Sequence, residues 1–122
     1  MPEYPWIQHE HVRFRDCDAM GHVNNAVYST YLEQARIAIL GDLEPFILAR
    51  VEIDFRAELH EGEKVEVHSR CSRVGTKSFD LEHRITAGGR LVAEAKSVLV
   101  GYDYTLSASV PLTDTQRRRL TE

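Results

Sequence analysis

The chain lacks most of the features that would place it outside the ordinary globular domains. It has two cysteines in 122 residues, Cys17 and Cys71. No cysteine pair has metal-ligand spacing, which argues against a structural zinc site or a disulfide scaffold. No apolar run approaches the roughly 20 residues that span a bilayer, so no membrane partner is expected. Basic residues are not in excess: 15 Lys and Arg stand against 19 Asp and Glu, a net charge of −4. A general nucleic-acid binder is usually basic, so no nucleic-acid partner is expected either. Gly-x-Ser-x-Gly, a P-loop and a dinucleotide fingerprint are all absent. Low-complexity linkers and internal repeats are missing, and the length fits one domain, residues 1–122. The opening Met-Pro-Glu-Tyr-Pro-Trp is neither basic nor long and apolar, so the chain reads as a reduced, cytoplasmic protein. Cys17 stands between Asp16 and Asp18, where negative charge disfavours a thiolate nucleophile. Arg117, Arg118 and Arg119 form a short basic run that reads as a solvated helix face.

What is present is a clear order of elements. Residues 7–16 look extended, with Val12 and Phe14 on one face. In 26-AVYSTYLEQARIAIL-40, the residues Val27, Tyr28, Tyr31, Leu32, Ala35, Ala38 and Ile39 recur at helical spacing and form one apolar stripe. Ser29, Thr30, Glu33, Gln34 and Arg36 fall on the other side, and Gly41 ends the run. From about 46 to 104 the pattern is strand. Ala49, Val51, Ile53, Phe55, Ala57 and Leu59 alternate with charged residues, as a half-buried strand does. Three more strands follow, over 63–74, 78–87 and 90–104, separated by Gly75-Thr76-Lys77 and Gly88-Gly89. Pro111 and Thr113-Asp114 open a short C-terminal helix with Thr113 as its N-cap. One apolar-striped helix and one antiparallel sheet make a two-layer α+β domain. A sheet with so little to cover it recruits a partner chain, so a homo-oligomer is expected.

The chemistry is concentrated in 16-DCDAMGHVNN-25. Asn24 is placed to cap the helix. The first helical amide, that of Asn25, is then left without an intrahelical acceptor, at the positive end of the helix dipole. Such an N–H binds an anion, or a carbonyl that becomes one. Gly21 provides a positive-φ turn or a close approach for substrate. Asp18 and Asp16 are candidates for nucleophile or general base, against the plainer reading of carboxylates in a solvated loop. His22 orients a group, acts as a base, or is a hydrogen-bonding turn residue. His9 and His11 alternate on a strand but have no third ligand, so no metal is expected. His68 and His83 read as strand positions.

The run 12-VRFRDCDAMGHVNNAVYSTYLEQAR-36 closely resembles the 4-hydroxybenzoyl-CoA thioesterase-like branch of the hotdog-fold thioesterases. The residues that carry the likeness are Asp-Cys-Asp, Gly-His-Val-Asn-Asn, and the helix with Tyr28, Tyr31, Glu33, Ala35 and Arg36. The segments 51–67 and 73–85 fit the strands that follow. The resemblance implies a long central helix wrapped by an antiparallel sheet of about five strands. It implies a homodimer or homotetramer with active sites between subunits, an acyl-CoA substrate and no cofactor. Residue by residue, the family's catalytic aspartate falls on Asp18 and its oxyanion donor on the backbone amide of Asn25, with Gly21 and His22 in the same motif. Arg73, Lys77 and Arg56 become candidates for holding CoA phosphates. Two other functions are open to such a chain: a hotdog dehydratase or hydratase pairing His22 with Asp18, and an acyl-CoA-binding module without turnover.

Overall fold

The computed structural model describes residues 3–43 and 45–121. The strands are β1 (Trp6–His11), β2 (Phe46–Phe55), β3 (Lys64–Val74), β4 (Ser78–Ala87), β5 (Arg90–Asp103) and the two-residue β6 (Ala108–Ser109). The helices are α1 (Asn25–Leu40) and α2 (Asp114–Thr121). The five long strands form one antiparallel sheet in the order β1-β3-β4-β5-β2, and β6 pairs with the end of β5. This is the α+β hotdog architecture expected from the sequence, with α1 laid over one face of the sheet.

Period-two alternation explains which face is covered. Val65 and Val67 on β3, with Phe79, Leu81 and Ile85 on β4, all point to the helix side and are fully buried. They meet Tyr28, Tyr31, Leu32, Ala35 and Ile39 of α1. The intervening residues carry the charges. On the opposite face Arg70 pairs with Glu82, while Arg73 and Lys96 both pair with Asp80. The β4–β5 turn is made by Gly88 and Gly89, both at positive φ, which suits a tight hairpin.

Several expectations are corrected. The segment after Pro5 is extended only to His11; Phe14 enters a single 3-10 turn (Phe14–Asp16) and is 81% exposed, while Val12 is buried. Arg36 is not on the polar side of α1. It is 4% exposed and donates to Ser97 Oγ at 3.2 Å. Nor is β2 half-buried: Leu48, Val51 and Phe55 are 42%, 39% and 45% exposed. The reason is position, since β2 is the sheet's edge strand and α1 lies closest to β1 and β3.

The basic run at the C-terminus is also more than a solvated face. Arg117 Nη2 donates to the carbonyls of Gly75 and Thr76, and Arg119 Nε donates to the carbonyl of Ile39. The helix that carries them starts as expected. Thr113 Oγ1 accepts from Gln116 N–H, and Gln116 Oε1 accepts from Thr113 N–H, a capping box. α2 therefore ties the end of α1 to the β3–β4 turn.

Candidate functional site

The loop that leads into α1 is folded on itself by its own polar groups. Asp18 N–H donates to His22 O at 2.8 Å, and Gly21 N–H donates to Asp18 O at 3.1 Å. Asp18 Oδ1 accepts from the amides of Met20 (2.9 Å) and His22 (3.3 Å), a local turn that aspartate forms readily. Oδ1 is thus engaged, and among the described residues Oδ2 makes no hydrogen bond. Gly21 sits at φ 82° with open space where a side chain would stand. Its conformation, rather than crowding, is what calls for glycine.

Two further features hold the loop against the fold. Isolated antiparallel bridges join Cys17 to Val23 and His22 to His60. Asp16 is buried, and its carboxylate accepts from Arg13 N, Arg13 Nε and Nη2, and Tyr31 Oη. Burial alone pulls the Asp16 carboxyl up. The hydrogen bonds from Arg13 and Tyr31, with the Arg13 charge, outweigh it and hold the group below the usual aspartate value. The Asp16 carbonyl also accepts from Asn24 N–H at 2.9 Å. Asp16 is therefore an anchor for the segment that contains Asp18.

Asn24 caps α1 as expected, accepting from Ala26 N–H at 2.9 Å through its side chain. Its carbonyl accepts from Val27 N–H. Asn25 is the first helical residue, and among the described residues its N–H has no acceptor. The residue is exposed and stands at the positive end of a 16-residue helix, which favours developing negative charge.

One cavity of about 580 Å³ collects these groups. Asp18, His22 and Asn25 line it, with Tyr28, Phe55, Arg56 and Glu58. Gly21 shapes the turn beside it. Tyr28 and Phe55 meet edge-to-face at 5.0 Å between ring centres, giving the cavity an apolar wall. A larger cavity, about 860 Å³, opens beside Arg13, Phe14, Thr30 and Gln34 and contains neither Asp18 nor Asn25. Among the described residues, no three His, Cys, Asp or Glu side chains are arranged to hold a metal ion.

The three basic candidates separate. Arg56 lines the cavity with Asp18. Arg73 does not: it is paired with Ser78 Oγ (2.7 Å) and Asp80 (2.9 Å). Lys77 is exposed on the β3–β4 turn. That turn is bound by Arg117, two residues from the Arg119 that binds the last turn of α1. Sixteen helical residues span about 24 Å, so within one chain Arg73 and Lys77 stand at the far end of α1 from Asn25.

Two groups were missed by sequence reasoning. Glu58 and His60 join His22 from a segment distant in sequence: His22 Nε2 lies 3.2 Å and His60 Nε2 3.8 Å from Glu58 Oε2. No periodicity signals that meeting. His83 is a strand position on β4, as expected, and is buried between Ser69 Oγ (2.7 Å) and Ser97 Oγ (3.0 Å). Burial, with the nearby Arg36 charge, pushes it down to about 3. The Cys17 thiol is pushed up, the direction expected, but first by desolvation and then by Glu61 and Asp16 rather than mainly by its two flanking carboxylates.

The profile of the thioesterase-like superfamily matches residues 12–120, nearly the whole chain. The chain belongs to the thioesterase-like superfamily. A thioesterase from Thermus thermophilus, solved with coenzyme A and Zn, is 35% identical. The match covers 98% of this chain and 94% of that one, with a TM-score of 0.88. A 1,4-dihydroxy-2-naphthoyl-CoA thioesterase from Synechocystis is 18% identical over 96% of each chain, with a TM-score of 0.88; at that identity the likeness is one of fold. No curated protein sequence matches the chain. Superfamily and fold together make this chain a thioester hydrolase.

Proposed function

We propose that this member of the thioesterase-like superfamily hydrolyses acyl-CoA thioesters at the cavity between Asp18 and Asn25. The observation that carries the reading is the pairing of two groups on one cavity wall. Asp18 has an uncommitted Oδ2, and Asn25 has an uncommitted N–H at the start of α1. The thioester carbonyl oxygen would accept from the Asn25 amide. Asp18 would attack the carbonyl carbon as nucleophile, or deprotonate the water that does. Negative charge then grows on the carbonyl oxygen beside the helix dipole, where a preorganised donor is worth roughly 10²–10³ in rate. Collapse of the tetrahedral species breaks the C–S bond and releases CoA thiolate and acid. Coenzyme A in the 35% identical Thermus relative supports CoA as the carrier.

The same reading requires a second copy of the chain. β2 is an edge strand ten residues long, and it shows Leu48, Val51 and Phe55 to solvent on the α1 side. An apolar edge of this length is a pairing surface. A homodimer joined there, alone or within a homotetramer, covers it and brings a second subunit beside Phe55 and the cavity. Arg56 is the CoA-phosphate ligand on the cavity itself, and Arg73 and Lys77 would serve the partner's site. Residues 1–122 act as one such cytoplasmic domain. The test is a thiol-release screen with short, medium, long and aromatic acyl-CoAs. Turnover of one class supports the reading, and none across the whole panel contradicts it.

A further inference from the structure

The breaking of a thioester leaves a thiolate that takes a proton, and an imidazole, that of His22, lines the cavity. We propose that His22 protonates the departing CoA sulfur and that Glu58 is its positioning residue. This rests on the hydrolase reading above.

Four observations place the pair. His22 and Glu58 both line the cavity that holds Asp18 and Asn25. His22 Nε2 lies 3.2 Å from Glu58 Oε2. The His60 ring packs edge-on against the His22 ring, with centres 5.4 Å apart, and its own Nε2 reaches the same carboxylate oxygen at 3.8 Å. The His22–His60 bridge fixes the two backbones, while the His22 amide donates to Asp18 Oδ1. The imidazole is thus held on one edge by a carboxylate and packed against a second ring, with its backbone tied to the Asp18 turn. A carboxylate on one ring nitrogen sets the tautomer and leaves the other nitrogen for the reaction.

In this transfer the His22 ring keeps a proton on Nε2 toward Glu58 and gives one from Nδ1. As the C–S bond breaks, its electron pair goes to sulfur, and the Nδ1 proton follows to give CoA thiol and a neutral imidazole. The proton that water delivers during acid formation restores the imidazolium, by way of Asp18 or solvent. No oxidant, reductant or further reactant is needed. Glu58 does not touch substrate in this scheme and acts only through His22.

Leaving-group dependence separates this role from a structural one. An aryl thioester expels a thiolate weakly basic enough to leave without a proton, whereas the more basic alkyl thiolate of CoA gains from one. General acid catalysis is worth about 10²–10⁴ overall. Glu58→Gln should therefore cost roughly tenfold or more in kcat on the best acyl-CoA with KM little changed, and far less on the matching aryl thioester. His22→Gln should show the same selectivity more strongly, and it serves as the comparison if Glu58→Gln does not fold by near-UV circular dichroism. Equal losses on the two esters, or no loss on either, in folded variants would overturn the proposal and leave the hydrolase reading intact. Wild-type protein that turns over neither ester would overturn both.

Discussion

Tyr31 Oη donates to Asp16 Oδ2 at 3.2 Å across fifteen residues of chain, and both residues are buried. The bond joins the middle of α1 to the loop that carries Asp18. Arg13 completes the grip with three donors to the same carboxylate. Removing one partner leaves the others underused: Tyr31→Phe should cost about 1 kcal/mol. Asp16→Asn should cost more, since it strips charge from every bond that Arg13 makes. Urea midpoints check the order. Because the loop is loosened, kcat should fall in both variants even at temperatures where they remain folded.

Stability should depend on acidity through two kinds of group. His83 has its folded value pushed down to about 3, against 6.5 unfolded. The unfolded chain therefore binds a proton that the folded chain refuses. Stability is fully present above pH 6.5 and falls as pH drops toward 3, by about 2 kcal/mol between pH 6.5 and 5. Asp16 and Asp80 behave differently. Arg13 and Tyr31 bonds hold Asp16 low against its burial, and Arg73 with Lys96 holds Asp80 low. Their contribution is present above the ordinary aspartate range and is lost as pH falls through their depressed folded values. Denaturation midpoints from pH 7.5 to 3 should show both, and His83→Gln should remove the upper slope only.

Gly21→Ala places a methyl group in open space but in a left-handed backbone region. The loss should be about 1 kcal/mol, all of it from the backbone. Relaxation of the turn should also weaken the Met20 and His22 bonds to Asp18, so kcat should drop with it. A thermal melt and a kinetic run on the same sample check this, and wild-type behaviour in both would mean that the turn does not need its positive φ.

The exposed apolar residues of β2 predict assembly. Val51→Glu puts a charge into the row formed with Leu48 and Phe55. Light scattering should report a dimer or larger for the wild type and a monomer for the variant, with activity lost alongside. A wild-type monomer that is fully active would contradict the interface.

The fold was legible because its signals are local. The apolar stripe of α1, the Gly88-Gly89 hairpin and the capping residues Asn24 and Thr113 all lie within a few positions of what they control. So was the free amide of Asn25, which follows from capping alone. What the sequence could not show depends on meetings between distant segments. Arg36 reads as a polar-face residue until Ser97 is brought opposite it. Glu58 reaches His22 only because the strand end folds back beside the loop. β2 alternates like a half-buried strand, yet its place at the sheet edge leaves its apolar side uncovered within one chain.

Asp18 is the residue on which the functional account rests. Oδ1 holds the turn through the amides of Met20 and His22, and the side chain lines the cavity with Oδ2 uncommitted. Asp18→Asn keeps the shape and an acceptor oxygen for the turn while removing the charge. The decisive measurement is thiol release from the best acyl-CoA by purified, folded Asp18→Asn beside wild type. A fall in kcat of about 10² or more, with the melting temperature close to wild type, is the predicted result. Hydrolysis at the wild-type rate would contradict it.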